Sequence, residues 1–101
     1  MYKDDRIIPD KTEIVLIDTS GKIPKGINVT HDKIIRISFN PCTETKFFFF
    51  EKPSERITIE INGRGPFEFF RLTEGADRFD RYKDILTEFA KNNRISLINN
   101  L

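Results

Sequence analysis

Residues 56–72 read Arg56-Ile-Thr-Ile-Glu-Ile61, Asn62-Gly-Arg-Gly-Pro66 and Phe67-Glu-Phe-Phe-Arg-Leu72. In the first run Ile57, Ile59 and Ile61 alternate with Arg56, Thr58 and Glu60, the period of a strand with one buried face. The Gly and Pro cluster predicts a turn, and the third run a returning strand. Immediately afterwards the period changes. From Gly75 to Asn92 the apolar residues fall at Phe79, Tyr82, Leu86, Phe89 and Ala90, with Ile85 beside them. Spacings of three and four residues mark one face of an amphipathic helix over about 75–92. Thr73 is placed to cap its start, Glu74 and Asp77 suit its positive end, and Lys91 and Arg94 suit the other. Asn92-Asn93 is the expected stop.

Working toward the N-terminus, the strand signals continue. Glu13-Ile-Val-Leu-Ile-Asp18 is a short apolar run closed by the turn cluster Thr19 to Gly26, and Ile27-Asn-Val-Thr30 follows. His31-Asp32 separates that run from Lys33-Ile-Ile-Arg-Ile-Ser-Phe39, and a two-residue link predicts a hairpin. In the latter run Ile35, Ile37 and Phe39 are expected inward, with Ile34, Arg36 and Ser38 outward. Asn40 to Glu44 reads as a loop, Lys46-Phe-Phe-Phe-Phe-Glu51 as a strand, and Lys52-Pro53-Ser54 as a turn. Six strands at regular spacing predict an antiparallel meander, and strands followed by one helix an α+β fold. The chain divides into a lead-in over 1–11, held by Ile7 and Ile8, a single domain over 12–94, and a tail over 95–101 that docks or frays.

Composition bounds the function. The 101 residues suffice for one domain with a modest core. Seventeen Lys and Arg against sixteen Asp and Glu, spread evenly, leave a formal charge of +1. That balance argues against a nucleic-acid binder. The run Phe47–Phe50 is only four residues long, far short of the ~20 that a membrane helix requires. Met1-Tyr-Lys-Asp-Asp-Arg6 lacks the apolar segment of a signal peptide. A single cysteine, Cys42, cannot form an intramolecular disulfide and suits a reducing, cytoplasmic setting.

One stretch carries a resemblance. Gly26-Ile-Asn-Val-Thr30-His-Asp-Lys33-Ile34-Ile35, preceded by the strand Glu13 to Asp18, is similar to the G-x-hydrophobic-T-x-x-R/K-hydrophobic stretch of bacterial pleckstrin-homology-like (PH-like) and GRAM domains. Here Val29-Thr30 and Lys33 stand where the family favours Leu-Thr and Arg. The resemblance spans residues 12–92. It implies a bent sheet sandwich or barrel of six to seven strands closed by a C-terminal helix. It implies a seventh strand near Ile7-Ile8, in the Cys42 loop or near Ile23. It also implies a binding module without catalysis, for lipid headgroups, peptides or other subunits.

Two sets of candidate residues follow. By position, the resemblance makes Lys22, Lys25 and Lys33 ligands for an anionic headgroup, and Arg64 at a turn tip can join them. Several converging cations are needed, because each exposed ion pair contributes little. The second set is aromatic. In an alternating strand Phe47 and Phe49 face one way, Phe48 and Phe50 the other, and consecutive Phe69 and Phe70 pose the same problem. Phe48, Phe50 and Phe70 are therefore candidates for a surface that meets a protein partner or a second copy. Lys46, Glu51 and Lys52 flank the run as gatekeepers against aggregation. Catalysis is not expected, since His31 and Cys42 have no oriented partner in sequence. Asp77, Asp80 and Asp84, interleaved with Arg78, Arg81 and Lys83, read as a solvated helix face, and no metal or cofactor site is read.

Overall fold

A computed structural model describes residues 5–46 and 50–101, with Lys46 described through its backbone. Strands β1 (Ile7–Pro9), β2 (Glu13–Asp18) and β3 (Lys25–Thr30) form one antiparallel sheet in the order β1-β2-β3. Strands β4 (Ile34–Lys46), β5 (Phe50–Ile61), β6 (Phe67–Phe70) and β7 (Leu97–Asn99) form a second, in the order β6-β5-β4-β7. Helices α1 (Arg71–Glu74) and α2 (Ala76–Asn93) lie between β6 and β7 in sequence. The fold is α+β and mostly antiparallel, with one long helix near the C-terminus. No helix among the described residues is long and apolar enough to cross a membrane.

Among the described residues the strands form two sheets, and no barrel closes. The expected hairpin at His31-Asp32 is where they separate. Residues His31–Lys33 make a single 3-10 turn that hands the chain from β3 to β4, and those strands do not pair. A short polar link looks the same in sequence whether the next strand returns beside the last or enters another sheet. The phase of β4 also differs from expectation. A β-bulge between Ile34 and Arg36 puts Ile34 in the core and leaves Ile35 50% exposed, while Ile37 and Phe39 stay buried.

The regions read as loops around Pro41 and Pro53 are strand. β4 runs unbroken through Asn40–Glu44, and β5 through Lys52–Ser54, in register from Arg36↔Glu60 to Lys46↔Phe50. The run Phe67–Leu72 ends as a strand at Phe70 and turns helical. Thr73 lies inside α1, and the residue preceding α2 is Gly75, whose φ of 97° marks the break between the helices. The lead-in contributes β1, paired through Ile7↔Leu16, and the tail contributes β7, parallel to β4 through Ile37↔Leu97. Arg94 makes that return possible. It adopts the left-handed conformation (φ 56°), and the following Ile95 N–H donates to Ala90 O at 2.9 Å.

One core joins both sheets and α2. Ile14, Leu16, Ile37, Ile57, Ile59 and Phe69 are fully buried against Phe79, Tyr82 and Leu86, so the helix face read from periodicity is the packed one. Polar pairing locks the N-terminal segment onto this core. The Arg6 N–H donates to Tyr82 Oη at 2.7 Å. Its guanidinium donates to Glu74 Oε2 at 2.9 Å and to Ile17 O at 3.2 Å, and lies 4.9 Å from the centre of the Phe69 ring. Buried Asp5 accepts from Arg81 Nη2, with Arg78 Nε at 4.0 Å. Burial pushes the Tyr82 phenol up, and the Arg6 hydrogen bond opposes that shift.

Removing Arg6 leaves the Glu74 carboxylate, which is only 5% exposed, without this cation. Arg6→Ala is expected to cost about 3 kcal/mol, as for other broken buried pairs. Arg36→Ala, which breaks the exposed Arg36–Glu60 pair, should cost less than about 1 kcal/mol. Urea unfolding of the two variants checks the contrast, and equal costs would contradict it.

Candidate functional site

The feature that stands apart from the core is the far half of the β4–β5 ribbon. β7 pairs with β4 only at Ile37–Phe39, and β6 pairs with β5 only at Arg56–Ile59. Beyond those points Pro41–Lys46 and Phe50–Glu55 form a two-stranded arm. Its outer residues Pro41, Thr43, Thr45 and Phe50–Pro53 are exposed, and Phe50 is 63% exposed.

Backbone phase explains why two prolines can sit in it. The Ile37 N–H donates to Ser96 O and the Asn100 N–H donates to Phe39 O, each at 2.9 Å. Odd-numbered residues of β4 therefore turn their backbone polar groups toward β7, and even-numbered ones toward β5. Carried past Phe39, that alternation points Pro41, Thr43 and Thr45 to a side on which no described strand pairs. The register Cys42↔Ser54 gives β5 the same logic, so Pro53 faces away from β4 at a point that β6 does not reach. In each case the N–H that proline lacks would have faced an open side.

The base of the arm is fastened to the helices. Glu44 Oε2 accepts from the Leu72 N–H at 2.8 Å and from the Ser54 hydroxyl, and Oε1 accepts from Thr73 Oγ1 at 2.6 Å. A carboxylate on β4 thus satisfies free donors at the start of α1, where the helix dipole favours it. Arg71 joins Asp80 at 2.6 Å and Glu55 at 3.5 Å, and Lys83 reaches Glu55 and Asp80, each at 3.3 Å. The Arg71 hydrogen bond holds the Asp80 carboxyl below the usual carboxylate range.

The candidate aromatics are only partly assembled by this geometry. Phe48 lies outside the described residues. Phe70 pairs with Arg56, so it shares a sheet face with Phe50, but six residues of β5 separate the two rows, about 20 Å at ~3.3 Å per residue. Phe70 is half-buried. They do not make one patch.

The candidate cations are divided as well. Lys22 lies in the turn after β2, Lys25 begins β3, and Lys33 ends the 3-10 turn beyond β3. The six-residue strand thus parts Lys25 from Lys33 by about 17 Å. Arg64 lies 4.6 Å over the Phe67 ring, beside an open cleft of ≈ 410 Å³ that is also lined by Arg6, Asp18, Ser20 and Glu68. The cleft is of mixed charge. Hydrogen bonds from the Ser20 backbone and hydroxyl hold the Asp18 carboxyl below its usual range, with a smaller contribution from Arg64. His31 sits in the 3-10 turn, and Cys42 is half-buried on β4. Among the described residues no three His, Cys, Asp or Glu side chains converge as a metal site.

Two things escaped the sequence. Glu44 gives no local sign of its role, because its helical partners lie 28 and 29 positions away. The arm was hidden by its prolines, whose outward placement depends on the β4–β5 register. No family model, curated protein or solved structure matches this chain.

The phase assignment can be tested directly. Thr43→Pro should be tolerated to within about 1 kcal/mol, because the Thr43 N–H faces the open side. Cys42→Pro removes a ladder donor to β5 and should cost at least about 2 kcal/mol. Denaturation of the two variants reads the difference, and the reverse order would refute the phase.

Proposed function

We propose that this protein is a non-catalytic interaction module whose contact surface is the β4–β5 arm, with Phe50 as the side chain that a protein partner or a second copy buries. The observation that carries this reading is a large ring left 63% exposed on a projecting ribbon whose base is tied down by Glu44, Arg71 and Lys83. A rigid base lowers the ordering cost of binding, and burial of an aromatic side chain supplies the gain. Its position in the arm also sets Phe50 away from the core, so replacing it should not disturb the fold. A photo-crosslinking amino acid at position 50 should form an adduct with a protein in cells. The same probe at Ile23, which is 81% exposed, should not. Adducts at both positions alike, or at neither, would dismiss the arm, provided Phe50→Ser is as stable as the parent.

A second reading is a lipid or phosphate headgroup module of the PH-like kind, in which the exposed lysines of the β2–β3 turn supply the cations. The cations nearest that turn are Lys22 and Lys25. On this reading, replacing both with Glu abolishes flotation with anionic liposomes. Undiminished flotation would remove it.

A further inference from the structure

Of the edge strands β1, β3, β6 and β7, β3 is the longest, at six residues. The His31 N–H donates to Thr12 O at 2.9 Å, and the register pairs Glu13 with Thr30. Odd-numbered residues of β3 thus turn their backbone groups to β2, and Gly26, Asn28 and Thr30 turn theirs outward. All three are exposed, and among the described residues no strand pairs with that side. The open sides of β1 and of the arm are blunted. Pro9 faces away from β2, because the neighbouring Asp10 N–H donates to Glu13 O, and Pro41 and Pro53 do the same for the arm. On β3 the nearest proline is Pro24, which precedes the strand. Such an uninterrupted row of outward amides is a template for strand addition.

Gly26 is the first of these outward residues. It does not use a positive φ, so its backbone has no need of glycine. What it lacks is a side chain: a Cβ there would meet Val15 Cγ1 at 3.4 Å and Ile17 Cδ1 at 3.6 Å.

We infer that β3 is the seat of a two-fold interface, in which β3 of one copy adds antiparallel to β3 of a second and joins two three-stranded sheets into one. The strand is self-complementary. A two-fold axis at Asn28 pairs Gly26 with Thr30 of the second copy, leaves Pro24 outside the ladder and allows about six backbone hydrogen bonds. In this register the paired segment Gly26–Thr30 carries no charged residue, so no like charges stand opposite each other. The formal charge of +1 adds little long-range repulsion between copies.

Sedimentation of the full chain from micromolar to about millimolar concentration, with amide exchange read alongside, tests the interface. A dimer is expected, with Gly26, Asn28 and Thr30 amides gaining protection as concentration rises. Asn28→Pro removes one outward N–H and leaves the β2 ladder intact. Asn28→Lys places two cations across the axis. Each should weaken the dimer at least about tenfold, while Lys91→Glu on α2 should not. If Asn28→Pro fails to fold, Asn28→Lys decides, since that side chain is exposed. A monomer throughout, or a dimer that withstands Asn28→Lys, overturns the inference. So does a dimer that Phe50→Ser dissolves while Asn28→Lys leaves it intact.

Discussion

The guanidinium of Arg6 is where the parts of this fold are held to one another. It reaches Ile17 O on β2, Glu74 at the junction of the two helices and the face of Phe69 on β6, while its backbone binds Tyr82 on α2. Those elements come from both sheets and the helical layer. Apolar burial alone brings them together but is indifferent to small slides between layers. A planar cation with directed donors specifies one arrangement, because a slide would leave Glu74 buried without it. Asp5, clasped by Arg81, repeats the device one residue earlier. The lead-in therefore orders the sheets rather than trailing from them.

With the layers fixed, the two unusual regions follow. The β4–β5 ribbon is longer than either neighbour, so part of it must project. The three-stranded sheet is short of strands, so β3 keeps a bare side. In the arm the prolines discourage backbone pairing, and the proposed contact is through burial of the Phe50 side chain. On β3 the reverse holds: backbone groups are available, and the outward residues are small or polar. The two surfaces therefore suit different kinds of contact.

How much of this was legible depended on range. The alternation of Ile57, Ile59 and Ile61 and the helical spacing of Phe79, Tyr82, Leu86 and Phe89 are local, and both were read correctly. Pro41 and Pro53 read as breaks because proline is harmless only relative to a neighbour that is missing on one side. Thr73 reads as a cap in sequence, whereas its hydroxyl donates to the distant Glu44. The three residues of β7 carry too little pattern to announce a strand, least of all a parallel one. For the candidate surfaces, the dilemma of consecutive phenylalanines was visible, but the exposure of Phe50 was not. The separation of Lys25 from Lys33 depends on β3 running its full length between them.

The parallel pairing of β7 with β4 also has a consequence for the order of assembly. Ile37 pairs with Leu97, which is synthesised sixty positions later, and in the finished sheet β7 covers one side of β4. The hairpins β2–β3, β4–β5 and β5–β6 close short loops and can form while the chain is still being made. Until α2 has turned at Arg94 and β7 has arrived, the amides of Ile37 and Phe39 on that side lack their final partners. A nascent chain at this stage presents a longer unpaired β4 edge than the finished protein does. Pro41, two residues beyond Phe39 on the same side, limits how far a stray strand could extend along it during that interval.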